Sequence, residues 1–455
     1  MELQVNQNRK QYFQLLLLHI AMAFAIYIFR PISFILTNGI LLFWLIYILQ
    51  KKNRNNEALM AAAYVAGGEV YFRMTDGIIF YETGKYMVIV FLLLGMFFKG
   101  TSSKTVPYWL FILMMVPGIL VSAINISYGA DFRKLVAFNL SGPVCLGIVA
   151  VYCYYKKIKK SDFEKVILML LLPLISNMFY LYLYTPSLKE SLINVSANYL
   201  ATGGYGPNQV STIFGMGFFL ICTRLFLVKD KLVNLIDFIL LGLMGYRAVV
   251  TFSRGGVFTG IICISTFLIF YYYKMNRKSR SAVFRKILFI GAVGLGVWTF
   301  SLVKTYGLIG NRYTNKDASG KLKADITTGR SELIETELHA FINHPILGIG
   351  VGKGTEYREE QLGISIATHN EISRMLSEQG LLGLISLLIL IFVPVVFWFK
   401  FENNYYFLAF LAFWFLTINH SAMRIALPAF VYGLALLYIV DDKKDPVYRK
   451  RLAGR

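Results

Sequence analysis

Apolar stretches as long as a bilayer core is thick recur from one end of this chain to the other, at 12–29, 32–49, 106–124 and 163–184 among others. A helix needs roughly twenty such residues to cross a hydrocarbon core of about 30 Å. In lipid every backbone polar group must be satisfied internally, so runs of this length fold as helices. Composition agrees: of 455 residues 56% are hydrophobic and only 16% charged, with a mean hydropathy of +0.57. A soluble chain of this size needs more charge to cover its surface. The first run is too long for a signal-peptide core and no small-residue cleavage pattern follows it, so it reads as a span.

Fourteen spans are predicted, at 12–29, 32–49, 57–73, 86–99, 106–124, 134–155, 163–184, 209–228, 232–250, 256–273, 287–304, 380–399, 404–419 and 425–440. The pair at 57–73 and 86–99 is the weakest, because Gly67-Gly68-Glu69 interrupts the first and the second is short. The expected fold is all-α, a polytopic membrane bundle of about twelve to fourteen transmembrane helices. It reads as a single membrane domain over 1–455. An even span count keeps both termini on one side.

A net charge of +21 would suit nucleic acid, but its distribution argues otherwise. More than half of the 46 Lys and Arg sit in short connectors and in the basic run 443–455. With both termini inside, every such cluster falls on the cytoplasmic side. Attraction to anionic inner-leaflet lipid accounts for the charge, and no nucleic acid is called for. Cys145, Cys153, Cys222 and Cys263 all lie in predicted spans without a Cys-x-x-Cys pair, so neither a disulfide framework nor a zinc site is indicated.

One connector stands apart. Residues 305–379 form a long loop, extracytoplasmic on this topology, with eight Lys/Arg and ten Asp/Glu. Loops this long are functional or disordered, and this one has helical pattern. From 331 to 343 apolar residues fall at Leu333, Ile334, Leu338, Phe341 and Ile342, giving one greasy face suited to lying against the membrane domain. His344-Pro345 stops that helix. Gly348, Gly350, Gly352 and Gly354 follow, and a second helix begins near Thr368-His369-Asn370 and runs toward the next span. A shorter outer segment, 185–209, ends in Gly206-Pro207-Asn208.

The glycine run is not a phosphate loop, because the position five residues before its Gly-Lys is Leu347. A tight turn, or close approach of backbone to a ligand or lipid, is the reading instead. Of five histidines, His339, His344, His369 and His420 map to the outer face or its edge. His339 and His344 are five apart, off one helical face, and no Asp or Cys sits at ligand spacing, so no metal is expected. A catalytic or hydrogen-bonding histidine fits better, although each taken alone is accounted for by a structural role. Arg254 sits in Thr251-Phe252-Ser253-Arg254-Gly255-Gly256 between two spans, where its plain reading is snorkelling to headgroups. Flanking Ser and Gly also leave room for an anion. Arg330, after Thr327-Thr328-Gly329, opens the amphipathic helix, where backbone amides already favour an anion. Two guanidinium forks on one face suit a diphosphate. Arg73, Arg133, Arg247 and Arg424 are further arginines for which structural roles come first.

These pieces, in this order, resemble the O-antigen ligase and O-antigen polymerase group of bacterial membrane glycosyltransferases. The likeness rests on Gly206-Pro207-Asn208, Thr251-Phe252-Ser253-Arg254-Gly255-Gly256, and Gly329-Arg330 leading through His344-Pro345 to Gly348, Gly350 and Gly352. It ends with His369-Asn370 and Glu378-x-Gly380-Leu381-Leu382-Gly383. The resemblance implies a multi-pass protein of the bacterial inner membrane with cytoplasmic termini. Its donor would be a glycan on undecaprenyl diphosphate, and its acceptor a sugar hydroxyl on lipid A-core (ligase) or on another carrier-linked glycan (polymerase). It further implies His369, Arg254 and Arg330 as catalytic residues, with Asn370, Glu378, Asn208 and His344 binding substrate. No metal or cofactor is implied, and the 305–379 loop would form part of the active site. In that role Arg254 and Arg330 neutralise the diphosphate, and His369, at an ordinary pKa of about 6.5, takes the acceptor proton. A lipid-linked glycan flippase or other polysaccharide transporter is the alternative, although the internal repeats and mid-membrane charges of transporters are not evident.

Overall fold

Most apolar runs become single helices. The computed structural model describes residues 2–185, 199–275, 277–323, 329–400 and 404–440. The basic run 443–455, most of the 185–209 segment and Thr327-Thr328 lie outside the described residues. In chain order the helices are α1 (Glu2–Ile28), α2 (Ile32–Lys51), α3 (Glu57–Met74), α4 (Thr83–Lys99), α5 (Val106–Leu113), α6 (Val116–Asn125), α7 (Phe132–Cys153), α8 (Lys160–Tyr184) and α9 (Pro207–Leu227). They continue as α10 (Lys231–Val250), α11 (Arg254–Lys274), α12 (Arg277–Lys304), α13 (Leu308–Tyr313), α14 (Arg330–Asn343), α15 (Gly354–Leu362), α16 (Glu371–Lys400), α17 (Phe407–Ser421) and α18 (Ala426–Ala435). Among the described residues, ten spans are long and apolar enough to cross a membrane, and α17 and α18 are shorter apolar helices.

The weakest expected span turns out to be the most central. Nearly every residue of α3 is buried, and a Cβ at Gly67 would sit 2.3 Å from the Leu170 carbonyl oxygen of α8. Its polar residues therefore face protein rather than lipid. Glu69 pairs with Arg73 and accepts from the Ala426 amide. Arg73 also donates to the carbonyls of Tyr81 (2.9 Å) and Arg424 (3.1 Å), and Lys85 pairs with Glu82 at 2.6 Å. A second buried pair, Arg224–Asp237 at 2.9 Å with the Tyr12 hydroxyl on the same carboxylate, ties α1, α9 and α10 together. Charges buried this deeply persist only when partnered.

Three expected spans differ in detail. The 106–124 run is broken at Met114-Met115 into α5 and α6, each opened by a proline at its first turn, where the missing N–H is harmless. The 425–440 run ends as helix at Ala435, because Asn404 Nδ2 takes the Leu434 and Ala435 carbonyls at 3.1 and 3.3 Å. Residues beyond it form a short strand, β2 (Tyr438–Val440), parallel to β1 (Lys157–Lys159). Finally, α16 bends at Gly380 (φ 58°), so residues 371–379 form a separate arm before the span proper. The Leu381 amide there donates to Pro345 O at 2.7 Å, which docks the turn after α14 into the bend.

Within 305–379, α14 and α15 pack against α16, while α13 packs on α12, with Ile309 buried beside Val249 and Phe252. The amphipathic helix forms where the spacing predicts, but its greasy face is divided. Leu333 and Ala340 are buried with Glu337 between them, whereas Leu338 and Ile342 are exposed.

Candidate functional site

The junction before α11 is shaped by backbone constraint. Phe252 adopts φ +56°, an uncommon conformation for a bulky residue, and Arg312 Nε holds its carbonyl at 2.9 Å. Ser253 donates through Oγ to Asn208 Oδ1 at 2.7 Å, and its own carbonyl accepts from Ser211 Oγ at 2.7 Å. Asn208 thus ties the start of α9 to the start of α11 and positions Arg254. The space beside Gly255-Gly256 is not vacant. A Cβ at Gly255 would meet the His420 ring at 2.5 Å, and one at Gly256 the Ser211 carbonyl at 2.1 Å. These glycines admit a histidine and a neighbouring helix where room for an anion was expected.

Arg254 and Arg330, 76 positions apart, converge with Arg312 of α13. Arg254 donates to Asn315 Oδ1. Arg330 stands at the first turn of α14, preceded by Gly329 at φ 77°. Burial first, then Arg254 and Arg330, lower the Arg312 pKa, and burial followed by Arg254 lowers that of Arg330. Among the described residues no carboxylate pairs with any of the three. Converging positive charge without a counter-charge is an arrangement completed by an anion. Arg312 and Asn315 escaped the sequence reading because a six-residue helix in a polar stretch carries no spacing signal.

His369 is the second part of the site. Arg424 Nη2 donates to the carbonyls of Ala367 (3.1 Å) and Thr368, and the Ala422 amide donates to His369 O at 3.1 Å. Half-buried, its ring keeps Nδ1 buried with no hydrogen-bond partner among the described residues. Burial lowers the pKa most, then the charges of Arg424 and Arg330, with His420 and Arg358 adding to them, down to about 4. The ordinary value of 6.5 is therefore a poor guide: the imidazole is uncharged at neutral pH, able to accept a proton but weakly basic. Arg330 acts on both His369 and His420, so the guanidinium cluster and the histidines are neighbours.

The other expected site residues divide. Asn370 caps the first arm of α16, with Oδ1 accepting from the amides of Ile372 (2.9 Å) and Ser373 (3.2 Å). Glu378 is buried and paired with Arg374, which also pairs with Glu371. On the neighbouring helix α14, Glu337 pairs with Arg358 at 2.6 Å and accepts from Ser373 Oγ. Glu378 thus belongs to an ion-pair network fastening α14 and α15 to α16, on the floor of a cleft that Thr355, Thr368 and Arg424 also line. His344 is exposed at the end of α14, and the structure does not bring it to the arginines or to His369. Arg73 is a network residue of α3, and Arg247 is buried against the Leu181 carbonyl.

The glycine run approaches protein rather than a ligand. Gly348, Gly350 and Gly352 all have positive φ (70°, 99° and 84°), and the turn segment they form threads between α6 and the first arm of α16. Ile349 N donates to Ser377 O at 2.9 Å, Gly350 N to Glu378 O at 3.1 Å and Val351 N to Gly118 O at 3.1 Å.

Comparison with known proteins adds one finding. Residues 239–388 match the family model described as O-antigen ligase, a stretch that contains Arg254, Arg312, Arg330, His369, Asn370 and Glu378. No curated protein and no solved structure matches the chain.

Proposed function

We propose, from the match of residues 239–388 to the O-antigen ligase family model and the ten spans long and apolar enough to cross a membrane, that this chain is an inner-membrane protein that transfers undecaprenyl-diphosphate-linked glycan to a sugar hydroxyl at the outer face. The observation that carries this reading is the convergence of Arg254, Arg312 and Arg330 beside His369 without a partnering carboxylate among the described residues. The basic connectors support cytoplasmic termini, with this end of the bundle outside. Residues 305–379 then form one wall of an active site whose other wall is the membrane domain.

The reaction is a displacement at the anomeric carbon. The acceptor oxygen forms the new bond to that carbon while its proton passes to His369, and the bond to the diphosphate oxygen breaks with its electron pair. A diphosphate diester carries one negative charge per phosphate and gains a third as the sugar leaves. Three guanidiniums answer that growing charge, which stabilises the transition state more than the bound donor. The same diphosphate offsets the field of Arg330 on His369, so binding the donor makes the imidazole more basic when a base is needed. Asn208 positions Arg254 through Ser253, and Asn370 positions His369 by starting the helix behind it.

Arg254→Ala, Arg330→Ala and His369→Ala are each expected to abolish attached surface glycan at unchanged membrane levels of protein. Normal glycan in all three would overturn the assignment. A deletion strain separates the two acceptors: a single attached repeat unit marks a polymerase, and complete absence of attached glycan marks a ligase.

A further inference from the structure

The divided face of α14 has a physical consequence. Advancing about 100° per residue, the helix presents three sectors. Leu333, Glu337 and Ala340 are buried against the protein, while Glu332, Glu335, His339 and Asn343 are exposed and polar. Between these lies an apolar sector, with Leu338 at 40% and Ile342 at 70% exposure. The turn that follows extends it, with Ile346 at 70% and Leu347 at 43%.

This patch does not end at the loop. The Leu381 amide is hydrogen-bonded to the carbonyls of Pro345 (2.7 Å) and Ile346 (3.2 Å), so the turn sits on the bend of α16. Below the bend, Leu381, Leu388, Phe392, Val395 and Phe399 are all exposed. Their spacing of seven, four, three and four residues keeps them on one face of the span. That face belongs to a helix long and apolar enough to cross the membrane, and it is turned away from the protein.

We propose that Leu338, Ile342, Ile346 and Leu347 continue the lipid-facing stripe of α16, and that the end of α14 lies in the acyl-chain boundary of the bilayer. Protein, lipid and water then each meet one sector of the same helix, as in helices that lie in a membrane interface. The contact is apolar rather than electrostatic, since the sector beside it carries Glu332 and Glu335 and would be repelled by anionic headgroups. Holding α14 in the interface also holds Arg330, at its other end, near the depth of lipid phosphates. That last consequence, though not the contact itself, rests on the proposed function.

The test needs no enzyme assay, so its failure is distinguishable from failure of the catalytic reading. Ile342→Cys, Ile346→Cys and, on the polar sector about 100° round the helix from Ile342, Asn343→Cys are labelled with an environment-sensitive fluorophore in the full chain, reconstituted into phosphatidylcholine vesicles. The four native cysteines are buried, which favours the introduced thiols. Labels at 342 and 346 are expected to be quenched several-fold more by spin-labelled acyl chains than the label at 343, and less by aqueous iodide. Equal iodide access at all three positions would overturn the proposal. Shielding of 342 and 346 from both quenchers would also overturn it, assigning the patch to a second copy or another protein.

Discussion

Replacing Arg358 with methionine should cost stability in a manner that depends on pH. Arg358 Nη1 lies 2.6 Å from Glu337 Oε1, and the two side chains are 3% and 2% exposed. Burial already raises the Glu337 pKa above 4.5, outweighing Ser373 and Arg358, which lower it. Without the guanidinium the buried carboxyl takes up a proton rather than remain charged. Keeping it protonated at pH 7, against an ordinary value of 4.5, costs about 3.4 kcal/mol at 1.36 kcal/mol per pH unit. Arg358 also holds the Ile366 carbonyl at 2.9 Å and Thr355 Oγ1 at 3.3 Å, and losing these adds about 1 kcal/mol. The sign follows from linkage: the folded variant keeps a proton that the unfolded chain releases above 4.5, so the penalty grows with rising pH and fades toward 4.5. The expected loss is therefore about 4 kcal/mol at pH 7 and about 2 kcal/mol at pH 5. Unfolding of wild type and variant in the same detergent, followed at both pH values, measures it. Arg358→Met/Glu337→Gln should recover the pH-dependent part, because no carboxyl remains to protonate. A loss under about 1 kcal/mol at pH 7, or equal losses at both pH values, would refute this account of how α14 is fastened to α15.

Other consequences are equally specific. With the His369 pKa held down to about 4, the acid limb of kcat/KM should fall well below 6.5, and Arg424→Gln should move it upward by removing a positive charge; a wild-type limb at 6.5 would contradict this. Arg312→Ala should lower kcat by about a hundredfold with a smaller effect on donor KM, the signature of charge stabilised in the transition state, and Arg312→Lys should recover part of it. Gly350→Ala places a Cβ 2.7 Å from Ser122 N at φ 99°, so a loss of at least about 2 kcal/mol is expected in the same unfolding assay. Asn208→Ala removes the 2.7 Å bond from Ser253 Oγ and should reduce transfer more than stability, which falls by about 1 kcal/mol.

Local structure was legible in the order of residues. Run length and hydropathy marked the spans, because crossing lipid demands an uninterrupted apolar helix whatever its neighbours. Apolar spacing placed α14 over nearly its observed length, and Asn370 lay where α16 begins. Tertiary structure alone decided which surfaces meet. That α3 sits at the centre, that Gly348, Gly350 and Gly352 close on α16, α6 and α7 rather than on a ligand, and that Glu337 is fastened to Arg358 all depend on segments apart in the chain. Positive φ at a glycine fixes its backbone but does not name what approaches it. An apolar residue on a helix likewise seeks any apolar surroundings, so the pattern of α14 could not say that Leu333 would face protein while Ile342 stayed exposed. The arginines show the same division. Charge and flanking residues singled out Arg254 and Arg330, yet only the packing of α11, α13 and α14 brought them together and added Arg312.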